Sequence, residues 1–139
     1  MPVIVDSSFV YALFNHSEAR HIEAVNFAFA NTDELMMPDV VLPELSYLFR
    51  RDFGYAGVQR LLKSIQSFDA RYVPISADDI PQMHEITIRY ASAEFDIVDC
   101  CIMAIAERLG ITRIATFDRR DFSIYRPRHC PFLELLPSA

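Results

Sequence analysis

Glu94-Phe95-Asp96-Ile97-Val98-Asp99-Cys100-Cys101-Ile102-Met103-Ala104-Ile105-Ala106-Glu107-Arg108-Leu109-Gly110-Ile111-Thr112-Arg113-Ile114-Ala115-Thr116-Phe117-Asp118-Arg119-Arg120-Asp121-Phe122 is the stretch that decides the fold. Val98, Cys101, Ile102, Ile105 and Leu109 recur at helical spacing, which predicts an amphipathic helix. Gly110 is its expected stop, because glycine takes the left-handed C-terminal conformation without a Cβ clash. Ile111 to Ala115 then reads as a short apolar strand, with Asp118 just beyond its end. Asp96 and Asp99 lie three apart at the helix start, so their carboxylates can point the same way. A helix feeding a strand that ends in an acid is half of an α/β unit, and such sheets place their sites outside the C-terminal strand ends.

The rest of the chain repeats the alternation. Pro2 to Val5 reads as a strand, and Asp6-Ser7-Ser8 as its junction to a helix carrying Phe9, Val10, Leu13 and Phe14. A second helix is expected over Glu18 to Phe29, with Ile22, Val25 and Phe29 as its apolar positions. Leu35 to Met37 is the next strand. The helix after it is expected to begin at Pro43, which fits a first helical position, and to put Glu44 in its first turn. Ala56 to Phe68 reads as a separate helix with Val58, Leu61, Leu62 and Ile65 inward. Arg71 to Pro74 is a third strand, Ser76 caps a helix reaching Tyr90, and Cys130 to Leu135 is an edge strand. Short strands alternating with helices predict an α/β class, a mainly parallel sheet with helices on both faces.

With 139 residues, one domain spanning 1–139 is expected, and a hydrophobic fraction of 52% excludes disorder. No apolar run is long enough to span a bilayer. The N-terminus reaches Asp6 without a basic region, so no signal peptide is expected and a cytoplasmic location is. Three cysteines, two of them adjacent, match neither a disulfide framework nor a CxxC zinc site. The three glycines form no phosphate-binding loop, and the four histidines lack HxxxH spacing. A net charge of −6 argues against a large basic nucleic-acid surface. It leaves room for an acidic pocket filled by cations with basic side chains at its rim.

Asp6, Glu44 and Asp118 fall on one rim of a right-handed parallel sheet; Asp99 joins them only if its helix is entered from the same side. Converging carboxylates need a cation or protons. Oxygen-only ligands select hard ions such as Mg²⁺ or Mn²⁺, which suit phosphodiester hydrolysis.

At these residues the chain resembles the PIN-domain ribonucleases, and by pattern the VapC-like toxins of VapBC toxin–antitoxin pairs. Val3-Ile4-Val5-Asp6-Ser7-Ser8 is similar to the family's opening, and Pro43-Glu44-Leu45 to its second acidic position. Asp99, with Ala106-Glu107-Arg108-Leu109-Gly110, resembles the third, and Ala115-Thr116-Phe117-Asp118-Arg119-Arg120-Asp121-Phe122 the fourth. The resemblance covers nearly the whole chain. It implies a three-layer α/β/α fold with a mainly parallel sheet of four or five strands. It also implies a Mg²⁺- or Mn²⁺-dependent endoribonuclease toxin acting on RNA, a homodimer, and an antitoxin whose tail enters the acidic cleft. Asp6, Glu44, Asp99 and Asp118 carry over as the catalytic and metal-site acids, and Ser8 and Thr116 as hydroxyls near the metal. Asp96 and Asp121 are outer-shell candidates, and Arg119 and Arg120 are candidates for holding RNA phosphates.

Plainer readings stand beside these. Asp6 and Asp96 are suited to helix caps, Glu44 to a solvated helix face, and Asp118 and Asp121 to a turn with ion pairs. Two other functions fit the acids: a PIN-fold module that only binds, and an aspartyl-nucleophile phosphatase with Asp6 attacking phosphate. The second lacks its usual aspartate two positions on, where Ser8 stands.

Overall fold

The computed structural model describes residues 1–138. Its twelve elements alternate much as the patterning predicts: β1 (Val3–Val5), α1 (Ser7–Phe14), α2 (His21–Ala30), β2 (Leu35–Pro38), α3 (Val41–Gln66), β3 (Arg71–Val73), α4 (Asp79–Arg89), α5 (Ile97–Leu109), β4 (Arg113–Ala115), α6 (Arg120–Ile124) and β5 (Glu134–Leu136), with a 3₁₀ turn at Ala91–Ala93. The strands form one five-stranded sheet in the order β3-β2-β1-β4-β5. Every pairing is parallel; Ile4 sits opposite both Met36 and Ile114. The centre of the sheet is buried throughout, as Val3, Ile4, Val5 and Leu35–Pro38. Short β-branched or apolar runs without alternation suit strands covered on both faces.

Connection handedness sets the layers. From β1 the chain steps outward to β2 and β3, then crosses back past β1 to β4 and β5. Right-handed crossovers running in opposite directions must lie on opposite faces. Accordingly α1 packs with α2 and α3, and α4 packs with α5. This is the three-layer α/β/α arrangement, with a central parallel sheet of five strands. Where the strand order reverses, between β1 and β4, a crevice opens at the C-terminal edge.

Several expectations need correction. In α5 every residue from Cys100 to Ala106 is buried, so the middle of the helix is enclosed all round rather than amphipathic, while Ile97 and Leu109 near its ends are exposed. In α2 two of the expected apolar positions point outward, Ile22 at 68% and Phe29 at 92% exposed, while Ala24 is buried and Phe27 packs against the core. The α2 side chain set on α1 is Phe27, whose ring meets that of Phe9 edge-on at 5.6 Å. The two helices expected on either side of Gly54 are joined in α3 across a kink, at which Gly54 has φ 71° and ψ −168°. Pro43 lies inside the first turn, since α3 starts at Val41, and Leu62 is largely exposed. The last strand is Glu134–Leu136 rather than Cys130–Leu135. Ser76 lies in the turn before α4 rather than at its cap, which is Asp78: its hydroxyl accepts the Asp78 N–H at 3.3 Å, and Asp79 accepts the Ser76 N–H at 2.8 Å. Among the described residues no helix is long and apolar enough to cross a membrane.

Candidate active site

Asp6 is the last residue before α1 and the first beyond the central strand. It caps α1, accepting the Phe9 N–H at 3.1 Å, and is 3% exposed. Both of its oxygens are also held by hydroxyls. Ser8 Oγ donates to Oδ1 at 2.7 Å and Thr116 Oγ1 to Oδ2 at 2.5 Å. Each hydroxyl spends its one proton on Asp6 and uses lone pairs to hold the β4 loop. Ser8 Oγ accepts the Phe117 N–H at 2.9 Å and the Asp118 N–H at 3.2 Å; Thr116 Oγ1 accepts the latter at 3.1 Å. The carboxylate of Asp6 and the loop carrying Asp118 are thereby fixed to each other.

These groups form one wall of a cavity of about 400 Å³ lined by Asp6, Ser7, Ser8, Glu44, Glu94, Asp96, Asp99, Asp118, Arg120 and Asp121. The four acids singled out in the sequence, Asp6, Glu44, Asp99 and Asp118, come from four separate segments and share it. Asp99 therefore does reach the rim. Glu44 arrives from the first turn of α3 and accepts a hydrogen bond from the Ser7 hydroxyl. Asp96 caps α5, accepting the Val98 N–H at 2.9 Å. Asp121 is buried and accepts the Asp96 N–H at 3.2 Å, which ties the start of α5 to α6.

Of the two arginines, only Arg120 lines the cavity, where it pairs with Asp121 at 2.7 Å and donates to the Ala93 carbonyl at 2.9 Å. Arg119 is directed elsewhere, donating to the carbonyls of Thr116, at 3.1 Å, and Pro137. Two lining residues escaped the sequence reading. Ser7 sits beside the acid at the first position of α1, a signal that was available. Glu94 has a left-handed backbone, φ 50°, that no local pattern announces.

The crowd of carboxylates shapes its own charge. Burial pushes Asp6 up to about 6, opposed by its hydrogen bonds from Thr116, Ser8 and Phe9 and aided by the charge of Asp118. Burial likewise raises Asp99 well above the usual carboxylate range, helped by the Asp121 carboxyl beside it and by the charge of Asp6. A cavity with seven acids and one guanidinium suits a hard cation, because its donors are all oxygen. Among the described residues no three acids form a ready-made cage.

The PIN domain family matches residues 3–126. The 23S rRNA-specific endonuclease VapC20 of Mycobacterium tuberculosis is 30% identical over 121 residues, 87% of this chain and 92% of its own. Ribonuclease VapC26 of the same organism is 27% identical over 125 residues, covering 90% and 93%. The crystal structure of VapC20, a Sarcin-Ricin loop cleaving toxin, superposes with a TM-score of 0.80 at 27% identity, covering 92% of this chain and 98% of that one. VapBC2 from Rickettsia felis, solved bound to a DNA fragment from their promoter, shares the fold at a TM-score of 0.71 and 17% identity, with 97% of each chain covered.

Proposed function

The chain belongs to the PIN domain family, with the VapC-like toxins, and on that premise we propose that it is a metal-dependent endoribonuclease, the toxin of a toxin–antitoxin pair, hydrolysing RNA phosphodiester bonds. The observation that carries this reading is the meeting of Asp6, Glu44, Asp99 and Asp118 in one cavity at the point where the strand order reverses.

Asp6, Glu44, Asp99 and Asp118 would hold the ion, Mg²⁺ or Mn²⁺, in part through the waters it keeps. When bound, it supplies a more acidic water and offsets charge on the phosphate oxygens. The chain's own groups do the positioning. Thr116 and Ser8 orient Asp6 so that no reorganisation is needed at the moment of reaction. Ser7 turns Glu44 toward the cavity. Without an ion, Asp99 keeps its proton, because burial and the neighbouring acids raise it, and this lowers the repulsion in the cavity. Arg120, at the rim, is placed to meet a phosphate if its pairing with Asp121 loosens.

The same reading includes an antitoxin partner, a homodimer and a cytoplasmic site of action. VapBC2 and other structures of the same fold were solved as toxin–antitoxin assemblies, which supports the kind of partner. The test is cleavage of single-stranded RNA by the purified chain with Mg²⁺, with EDTA, and by Asp6→Asn and Asp118→Asn. Cleavage should require the ion and fall at least a hundredfold in each variant, about 3 kcal/mol of barrier. Undiminished cleavage in EDTA would remove the metal; undiminished cleavage by Asp6→Asn would remove Asp6.

A further inference from the structure

The acidic cavity is poorly suited to hold an RNA strand by itself. It offers a phosphate one guanidinium, and that one is already paired. The cations are distributed elsewhere. Between Leu45 and Phe68 the chain carries Arg50, Arg51, Arg60 and Lys63 against a single acid, Asp52. Asp52 is occupied by Arg51, at 2.8 Å, and by the Tyr11 hydroxyl. Among the described residues Arg50, Arg60 and Lys63 form no ion pair.

Two of these cations, one on each side of the Gly54 kink, lie over aromatic faces. Arg50 lies 5.6 Å from the ring centre of Tyr55, which is 62% exposed, and Arg60 lies 5.1 Å from that of Phe53. Beside them opens a second cavity, of about 410 Å³, with Phe14, Phe49 and Phe53 as apolar lining and Arg60, Lys63 and His16 at its edge. Unpaired cations around aromatic rings fit a ligand that is flat and apolar on its face and anionic at its margin. An unpaired nucleotide has that chemistry. The two cavities lie at opposite ends of α1: Ser7 lines the acidic one and Phe14 this one. Eight helical residues span about 12 Å, a distance a strand of a few nucleotides can bridge.

We propose that the elbow of α3 is a second RNA contact, taking an unpaired base in the cavity lined by Phe14, Phe49 and Phe53 and adjacent phosphates on Arg60 and Lys63. RNA as its ligand rests on the ribonuclease reading above. The experiment uses the full chain carrying Asp6→Asn, so that bound RNA stays intact. Its probe is a fluorescein-labelled single-stranded RNA of about a dozen nucleotides, within the span of one such site. Anisotropy titrations are run across a salt series. Adding Arg60→Ala and Lys63→Ala should raise Kd about tenfold and make the slope of log K against log salt shallower by about 1.4, for two phosphates on a single strand. The swap Arg60→Lys with Lys63→Arg keeps both charges and should restore the slope, which separates lost contact from lost folding.

Equal Kd and equal slope in parent and alanine variant would overturn the proposal. So would unchanged RNA binding with loss of an acidic peptide, which would make the elbow a protein-docking site. The two readings can fail separately. If the unsubstituted chain cuts no RNA while the alanine variant still loses RNA affinity, the second contact stands and the ribonuclease reading falls. If the chain cuts RNA and the alanine pair leaves KM for the dozen-nucleotide RNA unchanged, the reverse holds.

Discussion

Asp6 does three things with one carboxylate: it caps α1, anchors the β4 loop through two hydroxyls, and faces the cavity. Its burial has a thermodynamic signature. The folded value near 6 lies above the ordinary 3.8, so the folded state binds the proton more tightly than the unfolded chain does. That stabilisation is fully present below pH 3.8 and is lost as pH rises through about 6. The shift corresponds to roughly 3 kcal/mol at most. In EDTA, urea unfolding of the native chain should therefore weaken between pH 4 and 7 relative to Asp6→Asn, which has no proton to lose. A gap between the two proteins that stays constant across this window would mean that Asp6 is not strained by its burial. The place of Asp6 on the rim was readable from its position after an apolar strand. Its clamping by Thr116, 110 positions away, was not, since nothing local links the two residues.

At the scale of elements, α3 shows two glycines required for different reasons. Gly54 turns the helix with φ 71° and ψ −168°, a region that essentially only glycine occupies, and a Cβ there would meet nothing within 4 Å. Gly57 has ordinary helical geometry, but a Cβ would fall 2.6 Å from Phe53 Cβ and 2.7 Å from the Phe49 carbonyl oxygen. Alanine at Gly54 should cost about 1–3 kcal/mol through backbone strain. Alanine at Gly57 should cost about 1–3 kcal/mol through overpacking, and it should open the elbow by separating its two arms. Urea midpoints measure both losses. The circular dichroism of Gly54→Ala should stay helical, because the strain is confined to one residue; a broad loss of helix would contradict it. The sequence placed a break near Gly54, but read it as a gap between helices. Whether a glycine ends a helix or bends it depends on what packs against the next turn.

For the whole molecule, the parallel sheet with a strand-order reversal brings distant acids together, and the fold must hold them there. An ion that binds only the folded cavity should raise stability by about 2.7 kcal/mol at a hundredfold excess over its Kd. For a chain of this size that is on the order of 5–10 °C in the unfolding midpoint. Differential scanning fluorimetry with Mg²⁺ and Mn²⁺ should show this rise in the native chain and little of it in Asp118→Asn. Ca²⁺ serves as a control for simple charge screening. Equal rises in both proteins would place the ion elsewhere on this acidic molecule.

The sequence by itself determined the class of fold, because strand and helix periods are local properties: Val3-Ile4-Val5 and Leu35-Met36-Met37 can hardly be anything but buried strands. It also marked the acids, since residues just past strand ends fall on the functional edge of a parallel sheet. Only the tertiary structure decided which faces are covered. Helical spacing says that Ile22 and Phe29 share a side, but not that Ala24 and Phe27 face the core and leave those two in solvent. It decided the fate of the arginines too. Arg119 and Arg120 are neighbours in the chain, yet one turns to main-chain carbonyls near Pro137 and the other enters the cavity. Side-chain direction and partner are settled by contacts between segments far apart, and one short stretch of chain carries no record of those.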